Sequence, residues 1–254
     1  MNSGAGPSVV AIIPARYGSE RFPGKVIMPL AGKPLVVHTY ERTCRARVVN
    51  DVVVATDDER VVNALAAYDV KTVMTRGDHA TGSDRIAEVA FSLDAEIVVN
   101  VQGDEPLVDP HLIDATVQPL LDDPSLPMAT ARHAIDDPTL YNDPNCVKVV
   151  CDQHGHALYF SRSTIPYIRD ERIDPRTQPV YWQHIGLYVF RRDFLLKFAN
   201  MPSTPLERLE KLEQLRVLEH GYAIAVVDAK EKAIGVDTPA DLARAEKLLA
   251  EGGA

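Results

Sequence analysis

One short loop near the start of the chain concentrates cations among small residues. Residues 14–25 read PARYGSERFPGK, so Arg16, Arg21 and Lys25 are interspersed with glycine, serine and proline. Glycine lets the main chain come close to a ligand, and unhindered N–H groups form a nest that binds anions. The loop therefore fits the triphosphate of a nucleotide. An ordinary surface turn has the same composition, and the loop alone leaves that alternative open.

The spacing of this loop differs from that of two familiar phosphate loops. A dinucleotide fingerprint requires G-x-G-x-x-G, whereas glycine occurs here only at Gly18 and Gly24. A P-loop requires four residues between its glycines and a hydroxyl residue after the lysine, but five residues intervene here and Val26 follows Lys25. The spacing therefore argues against a dehydrogenase and against a P-loop enzyme.

Two carboxylate motifs are candidates for metal binding. Asp104 and Glu105 occur in NVQGDEP, and an acidic pair at the end of a buried strand is costly unless a cation compensates it. Carboxylates are ligands that Mg²⁺ prefers, and Asp104 is the favoured ligand of the pair. A solvated turn or a helix cap explains the pair equally well. Asp237 in GVDTP is weaker evidence, because Asp before Thr-Pro is common at the start of a helix.

The elements around these motifs indicate an α/β fold. Residues 9–13 form an unbroken apolar run, which is typical of a central strand covered by helices on both faces. Strands and helices then alternate, so we expect a mostly parallel central sheet flanked by helices. The predicted strands are 51–55, 70–74, 96–101 and 128–134, and the predicted helices are 34–47, 59–68 and 110–121. Polar loops at 14–25, 56–58, 75–85 and 102–106 leave the carboxyl ends of strands, where open sheets bind ligands.

The pattern changes in the second half of the chain. Residues 147–151 and 157–160 predict a hairpin, and the long polar loop 162–180 precedes a strand at 184–190. Leucines at helical spacing predict one amphipathic helix over 206–218, followed by a strand at 222–228 and a helix at 238–249. We expect residues 1–8 to be a disordered extension and residues 9–254 to form a single domain.

Composition excludes several classes of partner. The 254 residues carry a net charge of −9, with 36 acidic against 27 basic side chains, which argues against nucleic acid as the main partner. Three cysteines without C-x-x-C spacing suit a reducing cytoplasm. No long apolar run or signal sequence occurs, so we expect a cytoplasmic protein without membrane insertion.

Together these motifs resemble a known family. The chain is similar to the 3-deoxy-manno-octulosonate (Kdo) cytidylyltransferases, in order and over nearly its whole length from residue 9, in the segments VVAIIPARYGSERFPGK, TRGDHATGSDR, NVQGDEP, NCVKVV, YFSR, QHIGLYVF, PLERLEKLEQLRVLEHG and GVDTPADL. The resemblance implies a GT-A-like nucleotidyltransferase fold and activation of the sugar acid Kdo by CTP, with release of pyrophosphate. It also implies Mg²⁺ dependence, a homodimer and a place in lipopolysaccharide synthesis.

The resemblance also implies roles for individual residues. Arg16 and Lys25 would hold the triphosphate, and Asp104 and Asp237 would bind catalytic Mg²⁺ between the α-phosphate and the sugar. These four are the predicted catalytic residues, because displacement at phosphorus requires positioning and charge neutralisation more than a covalent nucleophile. The remaining CTP contacts would come from Ala15, Arg76, Ser83 and Gln102.

The sugar acid requires cations together with neutral or acidic hydrogen-bonding groups. The predicted Kdo contacts are Gln102, Arg162, His184, Tyr188, Glu207 and Glu210. Apart from the resemblance, Arg162 fits a surface ion pair, His184 fits a hydrogen-bonded histidine at a strand start, and Glu207 fits an i,i+4 pair with Lys211. His38, Tyr40, His79 and Trp182 receive no role.

The predicted domain has two functional halves. Residues 9–134 would bind the nucleotide, and residues 135–254 would bind the sugar and form the dimer interface through the hairpin and its neighbouring strand. A cytidylyltransferase for another acid, such as a sialic acid, and a nucleotidyltransferase for another base remain alternatives. A non-catalytic nucleotide-binding regulatory subunit is a third, although joint retention of Asp104 and Asp237 argues against it.

Overall fold

The structure is a computed structural model and describes residues 7–18, 22–79 and 81–251. Arg21 of the predicted phosphate loop and residues 1–6 of the predicted extension lie outside these ranges. Ser8 accepts main-chain hydrogen bonds from Glu96 and Ile97 at 2.9 and 3.0 Å. Sheet hydrogen bonding therefore begins one residue before the predicted boundary of the extension.

Parallel strands dominate the large central sheet. The strands of the protein are β1 Val9–Pro14, β2 Pro29–Leu30, β3 Lys33–Pro34, β4 Asp51–Thr56, β5 Thr72–Met74, β6 Ile97–Asn100, β7 Met128–Ala134, β8 Lys148–Cys151, β9 Ala157–Ser161, β10 Trp182–Arg191 and β11 Ile224–Asp228. The order of the central sheet is β11-β7-β10-β6-β1-β4-β5, and β10 runs antiparallel to both β6 and β7. A hairpin of β8 and β9 pairs with the start of β10, whereas β2 and β3 form a separate two-stranded sheet.

Helices cover both faces of the sheet. The helices are α1 Leu35–Thr43, α2 Glu59–Leu65, α3 Gly82–Phe91, α4 Pro110–Asp122, α5 Arg192–Ala199, α6 Pro205–Glu210, α7 Gln214–Glu219 and α8 Pro239–Ala250. Alternate β1 side chains enter two different cores: Ala11 and Ile13 pack on the α1 and α4 side, and Val10 and Ile12 on the α3 and α5 side. This alternation explains why the β1 sequence is apolar throughout. None of the helices in the described ranges is long and apolar enough to cross a membrane.

Two of the predicted helices begin with side-chain caps. The Asp58 side chain accepts a hydrogen bond from Arg60 N–H and caps α2, which begins at the predicted residue 59. Thr238 and Asp241 form a reciprocal capping box at the start of α8. The α/β fold with a mostly parallel sheet and a hairpin elaboration is confirmed.

The predicted single helix over residues 206–218 is wrong. The chain forms α6 and α7 instead, because Lys211 adopts a left-handed conformation with φ 54° and ψ 48° that ends α6. The leucine spacing was real, since Leu212 and Leu215 are buried in the core. Two further helices were not predicted: α3, whose first turn lies in the predicted loop 75–85, and α5, which directly follows β10 without a break in the apolar pattern.

Candidate active site

A cavity of about 520 Å³ is lined by residues of β6 and β10, the start of α3 and the loops of the sheet edge. Gly103 lies at the tightest point of this edge, since a Cβ atom there would lie 2.7 Å from the Pro14 carbonyl oxygen. Only glycine allows the loops after β1 and β6 to approach so closely. Polar groups that line the cavity come from Ser83, Asn100, Gln102, Asp104, Tyr188, Arg162, Lys211, Glu213, Gln214 and Asp237.

Three residues from distant parts of the chain meet at the cavity. The ammonium nitrogen of Lys25 lies 2.5 Å from Asp104 Oδ2 and 2.8 Å from Asp237 Oδ1. The two acidic loops are also joined by a main-chain hydrogen bond of 2.9 Å from Val236 N–H to the Asp104 carbonyl oxygen. Burial favours the neutral amine, but the attraction of both carboxylates outweighs it and raises the pKa of Lys25. Lys25 is therefore a buried cation that bridges two carboxylates.

The same two carboxylates fit a hard divalent ion. Asp104 and Asp237 converge on one positive charge, and Mg²⁺ is commonly held by one or two carboxylates, with water and substrate phosphates supplying its other ligands. Within residues 7–18, 22–79 and 81–251, no group of three or more histidine, cysteine, aspartate or glutamate side chains could hold a metal. The donor set therefore suits an ion that arrives with a substrate phosphate better than a permanently bound structural metal.

The predicted nucleotide contacts fall into two groups. Ser83 and Gln102 line the cavity, and Ala15 is fully buried beside it, with its N–H bonded to the Ala55 carbonyl oxygen at 2.8 Å. Arg16 lies on the loop after β1 and donates to the His79 carbonyl oxygen at 2.9 Å.

Arg76 lies apart from the other predicted nucleotide contacts. It is 3.6 Å from Glu88 and 3.8 Å from Asp78, and it lines a different cavity with His79. His79 in turn contacts the Glu88 carboxylate. The structure thus joins Arg16 to this neighbouring cluster through His79, but it does not bring Arg76 to Lys25 and Asp104.

The opposite wall of the cavity carries hydrogen-bonding groups that sequence analysis missed. Gln214 is 2 % exposed and accepts from the Tyr188 hydroxyl at 3.3 Å, but its Nε2 atom has no partner in the described part of the chain. The same holds for the buried Oε2 atom of Glu213. Burial raises the pKa of Glu213, although a hydrogen bond from Ser83 and the charge of Arg216 oppose the shift. The wall therefore presents one donor and one acceptor that a polar ligand would satisfy.

Both residues lie in the family segment PLERLEKLEQLRVLEHG, but of that segment only Glu207 and Glu210 were predicted to contact the sugar. Glu213 and Gln214 follow the left-handed turn at Lys211, which the leucine spacing conceals. Gln102, a predicted contact, donates to the Gly186 carbonyl oxygen at 3.2 Å and to Asn100 at 3.4 Å. Gly186 and Tyr188 reach the cavity at an irregularity in the pairing of β10 with β7.

His184 supports the wall from behind. Its Nε2 lies 2.9 Å from the Thr130 hydroxyl, and its ring packs 5.4 Å from the ring of Tyr188 and 4.9 Å from that of Phe160. Burial lowers the pKa of His184 to about 3, so the ring stays neutral. His184 is outside the set of residues that line the cavity, and its position fits orientation of Tyr188 better than the predicted direct contact with the sugar.

Glu207, a predicted sugar contact, is bonded to other residues of the protein away from the cavity. Its carboxylate is buried, pairs with Arg216 at 2.5 and 2.9 Å, and accepts from Thr204 N–H at 3.1 Å in the cap of α6. Arg216, and not Lys211, is thus the partner of Glu207. The carboxylate is fully used inside the protein and is outside the cavity lining, because the break after α6 turns its face toward α7.

Glu210 and Arg162 form one unit at the cavity rim. Glu210 accepts from the Ser161 hydroxyl at 2.6 Å and from Arg162 N–H at 3.0 Å. The guanidinium of Arg162 lines the cavity and donates to the carbonyl oxygens of Glu210 at 2.7 Å and Pro144 at 2.9 Å. Glu210 therefore positions Arg162 and the turn after α6.

Comparisons with known proteins agree on the family. A sequence model of the cytidylyltransferase family matches residues 10–231. The chain is 52% identical to a 3-deoxy-manno-octulosonate cytidylyltransferase of Syntrophotalea carbinolica, over 95% of this chain and 98% of the relative. A solved structure of CMP:2-keto-3-deoxy-manno-octonic acid synthetase complexed with CTP superimposes with a TM-score of 0.90 at 42% identity, covering 96% of this chain and 99% of the other. A putative glucose-1-phosphate thymidylyltransferase from Bacillus anthracis, at 14% identity and a TM-score of 0.67 over 95% of each chain, shares the fold.

Proposed function

Because the chain belongs to the 3-deoxy-manno-octulosonate cytidylyltransferase family, we propose that it transfers CMP from CTP to the anomeric hydroxyl of Kdo. The products are CMP-Kdo, a precursor for lipopolysaccharide synthesis, and pyrophosphate. The convergence of Lys25, Asp104 and Asp237 at the cavity is the observation that carries this assignment to particular residues. A protein that only binds a nucleotide has no need for two carboxylates at this point.

The residues of the nucleotide side supply charge and position. Lys25 and Arg16 are the cations of the loop after β1, and a triphosphate at this loop would receive charge-assisted hydrogen bonds from both. Asp104 and Asp237 would hold Mg²⁺, which when bound neutralises phosphate charge and lowers the pKa of the attacking hydroxyl. In-line attack on the α-phosphate then requires that the two substrates be held in register across the cavity.

The residues of the opposite wall would hold the sugar acid. The unpaired donor of Gln214 and the unpaired acceptor of Glu213 match the alternating donor and acceptor capacity of sugar hydroxyls. Gln102 and Tyr188 line the space between this wall and Asp104, and Arg162 lies at the rim. In this proposal, residues 9–134 supply most of the nucleotide side and residues 135–254 supply most of the sugar side. Asp237 belongs to the second half of the chain but would bind the metal.

We also propose that the protein is a homodimer. The hairpin and the long loop after it expose apolar side chains: Tyr167 is 88 % exposed, Leu158 61 % and Ile173 38 %. A second copy of the chain would cover such groups, and the segment coincides with the half assigned to dimerisation. Light scattering of the purified protein tests this part, and a monomer at micromolar concentration would contradict it.

Pyrophosphate release measured across four nucleoside triphosphates and several 2-keto sugar acids tests the reaction. We expect release only with CTP, Kdo or a close analogue, and a divalent metal. Equal activity with a sialic acid would assign a different sugar acid. Activity in excess chelator would contradict the metal assignment, and binding of CTP without turnover of any acid would indicate a regulatory protein.

A further inference from the structure

The turn between α6 and α7 places a lysine in a backbone conformation that favours glycine. Lys211 has φ 54° at the position where helices most often end with glycine. A side chain kept at such a position is strained, and strained residues concentrate at functional sites. The Lys211 side chain is exposed and lines the active-site cavity next to Leu212, Glu213 and Gln214.

The surrounding structure holds this turn in place. Arg162 donates to the carbonyl oxygens of Glu210 at 2.7 Å and of Lys211 at 3.4 Å, and thereby fastens the turn to the end of β9. The fully buried ammonium of Lys148 donates in turn to the Arg162 carbonyl oxygen at 2.8 Å. Three donors of the Arg162 guanidinium are engaged by carbonyl oxygens, because a further bond of 2.9 Å reaches Pro144.

The charge of the cavity creates a need for another cation. Its acidic lining residues are Asp104, Glu213 and Asp237, and its only cationic lining residues in the described part of the chain are Arg162 and Lys211. Lys25 is bound to two of the acids. The main-chain groups of Lys211 are hydrogen-bonded to Glu207 and Arg162, but its side-chain ammonium has no hydrogen-bond or ion-pair partner within residues 7–18, 22–79 and 81–251. A ligand carboxylate that enters this cavity therefore meets two lining cations: Arg162, three of whose five donors are bonded to carbonyl oxygens, and Lys211, whose ammonium is bonded to no group of the described residues.

We propose that Lys211 is a specificity-determining residue that binds the carboxylate of the sugar acid. The inference rests on the proposed function and deepens it, because it separates two tasks at the rim. Arg162 holds the turn, and Lys211 supplies the countercharge. The acid is selected over an uncharged sugar because only a carboxylate gains from this ammonium, while the nearby Asp104, Glu213 and Asp237 repel an anion placed elsewhere in the cavity.

Three variants test the assignment by steady-state pyrophosphate release. Lys211→Gly removes the cation and suits the left-handed turn, Lys211→Arg keeps the cation, and Lys247→Met removes an exposed lysine of α8 outside the cavity. We expect Lys211→Gly to raise KM for Kdo about fivefold to tenfold and to leave kcat and KM for CTP within about twofold of the wild type. The effect on KM is modest because an ion pair between a substrate and a solvent-accessible lysine contributes little binding energy. Lys211→Arg and Lys247→Met should stay within about twofold of the wild type in all three constants.

A second measurement separates a charge effect from a damaged turn. The C1 carboxamide of Kdo, which lacks the negative charge, is used as a competitive inhibitor. Lys211→Gly should leave the inhibition constant of the carboxamide unchanged while it raises KM for Kdo. An equal loss for both compounds, or an unchanged KM for Kdo, would overturn the role of Lys211 and leave the proposed reaction standing. A wild-type protein that is inactive with Kdo would overturn the proposed reaction and this inference with it.

Discussion

The ammonium of Lys25 contacts the carboxylate of Asp104 at 2.5 Å, although 79 residues separate them in the chain. The contact joins the loop after β1 to the loop after β6, and the bond from Lys25 to Asp237 adds the start of α8. One buried cation thus joins three loops of the proposed nucleotide side. In the described structure, Lys25 occupies the point on which the two proposed metal ligands converge.

Replacement of Lys25 should weaken the use of CTP. The Lys25→Ala variant loses a buried charge-assisted donor, so kcat/KM for CTP should fall by about 1.5–3 kcal/mol, or roughly 10- to 150-fold. Lys33→Ala is the matched control, because Lys33 is a half-buried lysine outside the cavity that pairs with Glu41 at 2.6 Å. Steady-state kinetics at saturating Kdo give the measurement. Unchanged CTP kinetics in Lys25→Ala would show that Lys25 does not bind CTP, and the loop would then be an ordinary surface turn.

Removal of either proposed metal ligand should disable the same function. We expect Asp104→Asn and Asp237→Asn each to lower the single-turnover rate by orders of magnitude and to shift Mg²⁺ dependence to higher concentration. The double variant should lose little more, because residues that act as one unit are strongly non-additive.

Thermal melting of these variants controls for folding. The comparison variant is Asp122→Asn, since Asp122 is an exposed acid at the end of α4. Losses that multiply independently, or normal Mg²⁺ dependence in Asp237→Asn, would show that the two carboxylates do not share an ion.

Glu213 should make the folded protein less stable as pH rises. Burial raises its pKa above the ordinary value of 4.5, so the folded state favours the protonated form. The stabilisation from that preference is complete below pH 4.5 and is lost as the pH rises through the raised folded pKa. The isosteric Glu213→Gln variant lacks this titration, so its stability relative to the wild type should increase across that window.

Urea unfolding at several pH values gives the measurement, and the same variant should show a higher KM for Kdo because the unpaired acceptor is lost. A constant stability difference from pH 4 to pH 8 would mean that Glu213 titrates alike in the folded and unfolded states. Unchanged sugar kinetics would remove Glu213 from the sugar wall.

Glu207 should matter for stability and not for sugar binding. Its pair with Arg216 is buried, and removal of one partner leaves the other charge uncompensated, which typically costs about 3–5 kcal/mol. Glu207→Met should therefore lower the urea midpoint strongly. The double variant Glu207→Met with Arg216→Leu should recover much of the loss, because apolar residues replace the whole pair.

KM for Kdo, measured on the folded fraction, should stay near the wild-type value in both Glu207 variants. A rise in KM in the double variant that accompanies restored stability would return Glu207 to the sugar site.

The sequence by itself determined those features that depend on a few neighbouring residues. The apolar run of β1 and the starts of α2 and α8 could be predicted, because each depends on a short hydrophobic period or on hydrogen bonds between near neighbours, such as the caps at Asp58 and Thr238. Contiguous motifs also identified Lys25, Asp104 and Asp237, since each stands in a loop that leaves the ligand edge of the sheet.

Only the tertiary structure decided which side chains share a cavity. It places Glu213 and Gln214 in the wall of the active-site cavity, pairs Glu207 with Arg216, and places Arg76 in a neighbouring cavity. Helical spacing reports which face of a segment is apolar, but it does not report a single left-handed residue such as Lys211, whose conformation carries no sequence signal when glycine is absent. The left-handed Lys211 changes the direction of the chain between α6 and α7, and so changes where the side chains of α7 lie. Hydrogen bonds from Arg162, which is distant in the chain, stabilise this turn.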